Sequence, residues 1–141
     1  MDYLDYVYFE SWTCNPTTLA MLDERLRAMQ DIVKHKAIPV ANSDCGDYMF
    51  NMASLLLACE PGKCHLWFWN IPSDNVLDAI NNIKLGNPKG AYKVQSDGCR
   101  TRDWDNGLVA VNPKESGDCT AVYDGTNHIL APRSGNIFMK Q

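Results

Sequence analysis

The sequence predicts two parts, an α/β segment over residues 1–85 and a small antiparallel, sandwich-like β-module over residues 86–141. In the first part, apolar strand-like runs alternate with helix-like stripes, which is typical of parallel strands joined by right-handed crossovers. The stretch Gly86-Asn-Pro-Lys-Gly90 interrupts this alternation. Short strand-like runs separated by Asp-Gly, Asn-Gly and Ser-Gly turn signals then follow, and they favour an antiparallel sheet or sandwich.

The first strand and helix are the clearest elements of the α/β segment. Leu4–Phe9 is a β-branched and aromatic run, which predicts a buried strand. Asn15 is a suitable N-cap, and Pro16 fits the first helical position, where its missing N–H has no partner to lose. An apolar stripe with helical spacing follows at Leu19, Leu22, Leu26, Met29 and Val33.

Two further strand–helix pairs complete this segment. Ala37–Ala41 is a second strand candidate, although Pro39 weakens it because proline cannot donate to a ladder. Tyr48–Ala58 is nearly apolar all round, so we expect a helix that is buried on more than one side. Cys64–Trp69 predicts a third strand, and Ser73–Ile83 a short third helix.

The β-module contains one strong hairpin signal, the pair Asn106-Gly107 between two strand-like runs. An Asn-Gly pair favours a tight turn in which both residues have φ > 0. The predicted strands are Ala91–Val94, Arg100–Trp104, Leu108–Val111, Cys119–Tyr123, His128–Leu130 and Asn136–Met139.

The composition is that of an ordinary globular protein. Of the 141 residues, 45% are hydrophobic and 21% are charged, and the net charge is -4. A negative chain without a basic stripe argues against nucleic acid as a partner. No apolar run approaches the roughly 20 residues needed to span a bilayer, so no membrane partner is expected. Neutral ligands such as sugars are compatible with this charge.

Six cysteines suggest disulfides and an oxidising compartment, so we expect a secreted or lumenal protein. Free structural thiols and a metal site remain the alternatives, although the spacing gives no second pair of zinc ligands. Local geometry favours a Cys59–Cys64 bridge across Glu-Pro-Gly-Lys and a Cys99–Cys119 bridge between neighbouring strands, and Cys14 could pair with Cys45. Met1 is not followed by a basic and apolar leader, so a secreted form needs a signal that was removed or lies upstream.

The hairpin and the linker before it resemble the C-terminal region of glycoside-hydrolase-like proteins built on a (β/α)8 barrel. The linker is Leu85-Gly86-Asn87-Pro88, and Tyr48–Ala58 looks like a late barrel helix of the same group. The Ser134-Gly135 turn before the last strand also fits. The matching hairpin positions are Arg102, Trp104, Asn106, Gly107, Leu108, Val109, Val111, Asn112 and Pro113.

This resemblance implies a partial TIM-type barrel of about three β/α units, followed by the β-module. It implies that the chain is a fragment, that the missing N-terminal barrel strands belong to the same longer chain, and that the 141 residues alone are inactive. The implied function is hydrolysis of a glycosidic bond by carboxylates, with a carbohydrate substrate and no cofactor or metal. The alternatives are a non-catalytic carbohydrate-binding or structural module, and a small disulfide-stabilised protein unrelated to carbohydrates.

In such barrels, functional groups lie at the carboxyl ends of the strands. Glu10 follows the first strand and is our candidate general acid, because burial near Trp12 would raise its pKa. Asp44 follows the second strand and is the candidate for the second carboxylate. The alternative for Glu10 is a structural role, as a helix cap or as a partner of a lysine or arginine.

Aromatic residues near the strand ends are candidates for sugar stacking. Trp12 and Trp69, with Asn70 beside the latter, are the predicted substrate-binding residues. The alternative is that Trp67 and Trp69, which share one face of their strand, pack against helices. In the β-module, Trp104 could form a binding patch, but an interior position explains it better.

Overall fold

A computed structural model of the protein describes residues 6–9, 19–34, 38–43, 47–60, 62–68, 78 and 82–140. Within these residues there are two long helices, α1 (Leu19–Lys34) and α2 (Tyr48–Ala58). The strands are β1 (Tyr6–Phe9), β2 (Ile38–Ser43), β3 (His65–Phe68), β4 (Lys93–Val94), β5 (Arg100–Trp104), β6 (Gly107–Asn112), β7 (Cys119–Tyr123), β8 (Thr126–Leu130) and β9 (Ser134–Met139).

The first three strands form a parallel sheet in the order β1-β2-β3. Tyr6 lies opposite Ile38, and Val40 lies opposite His65. The chain passes through α1 between β1 and β2, and through α2 between β2 and β3. These crossovers agree with the predicted alternation of strands and helices.

The other six strands are antiparallel. Four of them form a sheet in the order β4-β5-β6-β9, and β7 pairs with β8 in a two-stranded sheet, which we call the ribbon. β6 is buried along its whole length because it is a central strand with β5 on one side and β9 on the other.

The fold class predicted from the sequence is wrong. A partial TIM-type barrel of about three β/α units requires a third strand–helix pair, whereas the described residues contain two helices and mostly antiparallel strands. The predicted helix Ser73–Ile83 lies outside the described residues, except for helical Asp78 and the segment from Asn82. The described part of the chain is a small β-rich domain.

The packing of α2 gives the physical reason for this difference. The helix is nearly apolar all round, as predicted, and the four-stranded antiparallel sheet covers one of its sides. A Cβ atom added at Gly135 of β9 would lie 2.8 Å from the Cβ atom of Ala53, so the strand and the helix are in close contact. In a barrel unit, parallel strands would provide this cover.

The core joins the helices to the antiparallel sheet. One cluster contains Leu22, Leu26 and Met29 of α1 together with Val109 and Val111 of β6, and residues of α2 lie between them. A second core, between the ribbon and the four-stranded sheet, consists of Cys99, Leu108, Ala110, Cys119, Ala121 and Leu130. The division at residues 85 and 86 stays a prediction, although the first cluster includes residues from both sides of it.

Two hairpin turns differ in backbone conformation. β7 and β8 are joined by Asp124 and Gly125, whose φ angles of 48° and 72° fit a tight hairpin turn. The predicted turn at Asn106-Gly107 is displaced by one residue, because Trp104 pairs with Gly107 and the turn is therefore Asp105-Asn106. Neither residue of that turn has a positive φ, so the reason given for the turn from the sequence was wrong.

Within the described residues, no helix has the length and apolar character needed to cross a membrane.

Candidate functional site

The carboxyl ends of β1, β2 and β3 lie at one edge of the parallel sheet, which we call the carboxyl edge. Ser43 at the end of β2 lies opposite Phe68 at the end of β3. Phe9, the last residue of β1, lies opposite Ala41, so β1 ends level with a position two residues before Ser43, the last residue of β2. Chain segments that leave these three strands start from neighbouring points on the same edge.

The residues predicted to form the site follow these strand ends in the sequence. Their positions lie outside the described residues, so their roles stay predictions. They are the candidate catalytic residues Glu10 and Asp44, the candidate substrate-binding residues Trp12, Trp69 and Asn70, and the disulfide candidates Cys14 and Cys45.

The Cys59–Cys64 disulfide predicted from local spacing is confirmed. It closes the loop between α2 and β3, with the two Cα atoms 6.0 Å apart. The loop also contains an ion pair between Glu60 and Lys63, and the backbone N–H of Lys63 donates to the Glu60 carbonyl at 3.0 Å. These contacts fix the point at which the chain enters β3.

An open groove of about 610 Å³ lies beside this loop. Its charged lining residues are Lys34, Glu60, Lys63 and Arg102. The hydrogen bond from Lys63 lowers the pKa of Glu60, so this carboxylate is ionised at neutral pH and does not have the raised pKa that a general acid requires. Because Glu60 is the one carboxylate among the described lining residues, the groove does not offer the pair that glycoside hydrolysis uses.

Arg102 of β5 joins three backbone segments at the wall of this groove. Its Nη1 donates to the carbonyl of Cys59 at 2.7 Å and to that of Leu56 at 3.2 Å, and its Nε donates to the Gly90 carbonyl at 2.8 Å. The residue is 5% exposed, and burial lowers the pKa of its guanidinium. Through Nε and Nη1, Arg102 therefore acts as a structural connection between these segments.

Arg100, two residues earlier on the same face of β5, makes a corresponding connection to α1. Its Nε and Nη2 donate to the two carboxylate oxygens of Asp23, at 3.1 and 2.5 Å. Such a two-point arginine–carboxylate contact fixes orientation as well as distance. Together, Arg100 and Arg102 attach the four-stranded sheet to both helices.

Trp104 completes this face of β5 and is 3% exposed, in the first core cluster. The guanidinium carbon of Arg102 lies 5.4 Å from the centre of its ring. The interior position favoured from the sequence is therefore confirmed, and Trp104 does not form a surface patch for sugars.

The linker and the hairpin that carried the sequence resemblance are in contact with each other. The backbone N–H of Asn87 donates to the Asp105 carboxylate at 3.0 Å, and the N–H of Asp105 donates to the Asn87 carbonyl at 3.0 Å. The N–H of Asn106 donates to the Leu85 carbonyl at 2.9 Å. The two motifs therefore form one local unit.

Cys99 and Cys119 are free thiols in this structure, and both are buried in the second core. The predicted bridge between them is not formed, although both side chains belong to that one cluster. No group of three or more His, Cys, Asp or Glu side chains arranged for a metal ion occurs in the described ranges.

Sequence reasoning did not anticipate the connections made by Arg100 and Arg102. The available signal was their spacing, since Arg100, Arg102 and Trp104 alternate along one strand and must share a face. A face with two arginines next to a tryptophan suggests an interior site where guanidinium groups find backbone carbonyls. The partners themselves, Asp23 and the end of α2, are distant in sequence and carry no local signal.

No protein-family model matches the chain, and no curated protein matches it either.

Proposed function

We propose that this chain is part of a secreted or lumenal glycoside-hydrolase-like protein that acts on a glycosidic bond through carboxylate acid/base chemistry. The observation that carries the proposal is the parallel sheet, whose three strands end at a common edge. The residue after β1 is Glu10, the residue after β2 is Asp44, and Trp69 and Asn70 follow β3.

Glycoside hydrolysis needs two carboxyl groups on opposite sides of the scissile bond. In the proposed reaction, Glu10 gives a proton to the leaving-group oxygen while Asp44 acts as the base or nucleophile. Trp12 and Trp69 supply flat apolar surfaces for the sugar rings, and Asn70 supplies hydrogen bonds. The antiparallel part supports this edge, because Arg100 and Arg102 hold the two crossover helices in place.

The test compares Glu10→Gln with unsubstituted natural protein on two aryl glycosides of the same sugar, one with a phenol leaving group and one with dinitrophenol. Loss of a general acid should slow cleavage of the phenyl glycoside about 10²- to 10⁴-fold. Cleavage of the dinitrophenyl glycoside should change far less, because dinitrophenolate leaves without a proton. Glu24→Gln, at an exposed position of α1, is the matched control and should behave like the unsubstituted protein.

Asp44→Asn should reduce cleavage of both glycosides, because a base or nucleophile is needed whatever the leaving group. Its matched control is Asp118→Asn, at an exposed position before β7.

Retained cleavage of the phenyl glycoside by Glu10→Gln would remove Glu10 from the catalytic role.

A non-catalytic carbohydrate-binding or structural module is the second candidate. Two observations favour it. The described lining residues of the groove include one carboxylate and not a pair, and both arginines of β5 bond to the helices. Binding of oligosaccharides by the unsubstituted protein without hydrolysis of any glycoside would support this candidate over the enzyme.

A further inference from the structure

The second core holds a pair of cysteines on two different sheets. Cys99 directly precedes β5 of the four-stranded sheet, and Cys119 is the first residue of β7 in the ribbon. They are 0% and 2% exposed, and both belong to the same buried cluster. Both thiols therefore lie in one packed interior cluster.

The backbone around both cysteines is held by one carboxylate. Oδ1 of Asp97 accepts from the N–H of Cys99 at 3.1 Å, and Oδ2 accepts from the N–H of Thr120 at 2.6 Å. The side chain of buried Asn112 fixes the ribbon from the other side, with Nδ2 donating to the carbonyls of Gly117 at 3.1 Å and Leu130 at 2.8 Å. Asp97 thereby holds together the two chain segments that carry the cysteines.

We infer that Cys99 and Cys119 are an oxidation site, and that in an oxidising compartment they form a disulfide that fastens the ribbon to the four-stranded sheet. The inference is independent of the proposed hydrolytic activity. Because the cluster that contains both cysteines lies between the ribbon and the four-stranded sheet, this bridge depends on the tertiary fold, unlike the local Cys59–Cys64 bridge.

The reaction with a small disulfide such as glutathione disulfide balances in two exchange steps. One protein thiolate attacks a sulfur atom of glutathione disulfide, which forms a mixed disulfide and releases one glutathione thiolate. The second protein thiolate attacks the protein sulfur of that mixed disulfide and releases the second glutathione. The protein loses two electrons, glutathione disulfide gains them, and the two thiol protons end on the two glutathione molecules.

The rate of this exchange depends on opening of the ribbon. Burial raises the pKa of both thiols, and the thiolate is the attacking species. While the ribbon is packed against the four-stranded sheet, the thiols therefore react slowly at neutral pH. Transient separation of the ribbon exposes the thiols and lowers this barrier. Oxidation should therefore accelerate in mild denaturant and at higher pH.

The experiment equilibrates the reduced natural protein with glutathione and glutathione disulfide at a lumenal ratio, blocks free thiols with N-ethylmaleimide and digests with trypsin without reductant. Cleavage after lysine and arginine places Cys99 in peptide 94–100 and Cys119 in peptide 115–133. We expect one cross-linked species whose mass is the sum of these two peptides less two hydrogen atoms, and its loss after reduction.

The second measurement is the melting temperature. Oxidation should raise it by roughly 10 °C, since a bridge between distant segments restricts the unfolded chain. The control is Cys99→Ala/Cys119→Ala, which retains Cys59 and Cys64, so the redox shift that remains in this variant reports the other bridges. Maleimide on both peptides at equilibrium, a stable glutathione adduct on either, or an equal redox shift in the control would overturn the inference.

Discussion

At the scale of single residues, Arg102 connects segments that are far apart in the sequence. Its guanidinium donates to carbonyls at the end of α2 and before β4. Carbonyl groups at the end of a helix lack partners within that helix, and burial without a donor would be costly. Arg102 therefore satisfies the end of α2 and attaches β5 to it through the same bonds.

Arg102→Lys should destabilise the protein by about 2–3 kcal/mol, because a single ammonium nitrogen cannot replace both Nε and Nη1 and leaves at least one of the three carbonyls unpaired. Chemical denaturation with and without the substitution measures this difference. Arg27→Lys, at an exposed position of α1, is the control and should change stability by less than about 0.5 kcal/mol. Equal effects of the two substitutions would show that the bonds of Arg102 contribute no net stability.

Two residue-level predictions from the sequence are confirmed. The Cys59–Cys64 bridge spans four residues with a Pro-Gly turn, and the cysteines needed no distant information to be paired. Trp104 was expected in the interior and lies there. The bond between Arg100 and Asp23 could not be predicted, because it depends on how α1 packs against β5 and many acidic residues were equally available.

At the scale of secondary-structure elements, Gly107 shows why a hairpin motif can be correct for a different reason than expected. It is the first residue of β6, and its φ is not positive. A Cβ atom at this position would lie 2.1 Å from the carbonyl oxygen of Phe138 and 2.8 Å from Cδ2 of Leu85. Glycine is needed here because β9 and the linker approach the backbone closely.

Gly107→Ala should therefore cost about 3 kcal/mol of stability, because β6 and β9 have to separate to admit the methyl group. Gly125→Ala in the ribbon is the comparison. Nothing lies within 4 Å of its added Cβ atom, and only its φ of 72° opposes the substitution, at about 1 kcal/mol. Thermal or chemical unfolding of both variants measures the difference, and a smaller loss for Gly107→Ala than for Gly125→Ala would contradict the close approach.

Element positions were easier to predict than their arrangement. The bounds of α2, β5 and β7 coincide with the sequence prediction, because apolar period and turn residues are local properties. The type of sheet that packs against α2 was not predictable in the same way. An apolar helix requires burial on several sides, but its sequence does not specify whether parallel or antiparallel strands provide it.

At the scale of the whole molecule, one core cluster links α1, α2 and β6. The buried amides of Leu57 in α2 and Val109 in β6 should therefore exchange with solvent through the same global opening. Hydrogen exchange in increasing denaturant should give them equal opening free energies. The amides of the exposed ribbon residues Val122 and Ile129 should exchange with a lower opening free energy. Separate opening free energies for α2 and β6 would instead support two domains divided at residues 85 and 86.

The carboxyl edge is also a property of the whole molecule, since it exists only where three strands meet. The most direct test is an NMR titration of the ¹⁵N-labelled protein with a panel of soluble oligosaccharides of glucose, xylose, mannose and galactose. We expect the amide signals of Phe9, Ser43 and Phe68 to shift with at least one oligosaccharide while those of the ribbon stay unchanged. Shifts confined to the ribbon, or none with any member of the panel, would contradict a carbohydrate site at the carboxyl edge.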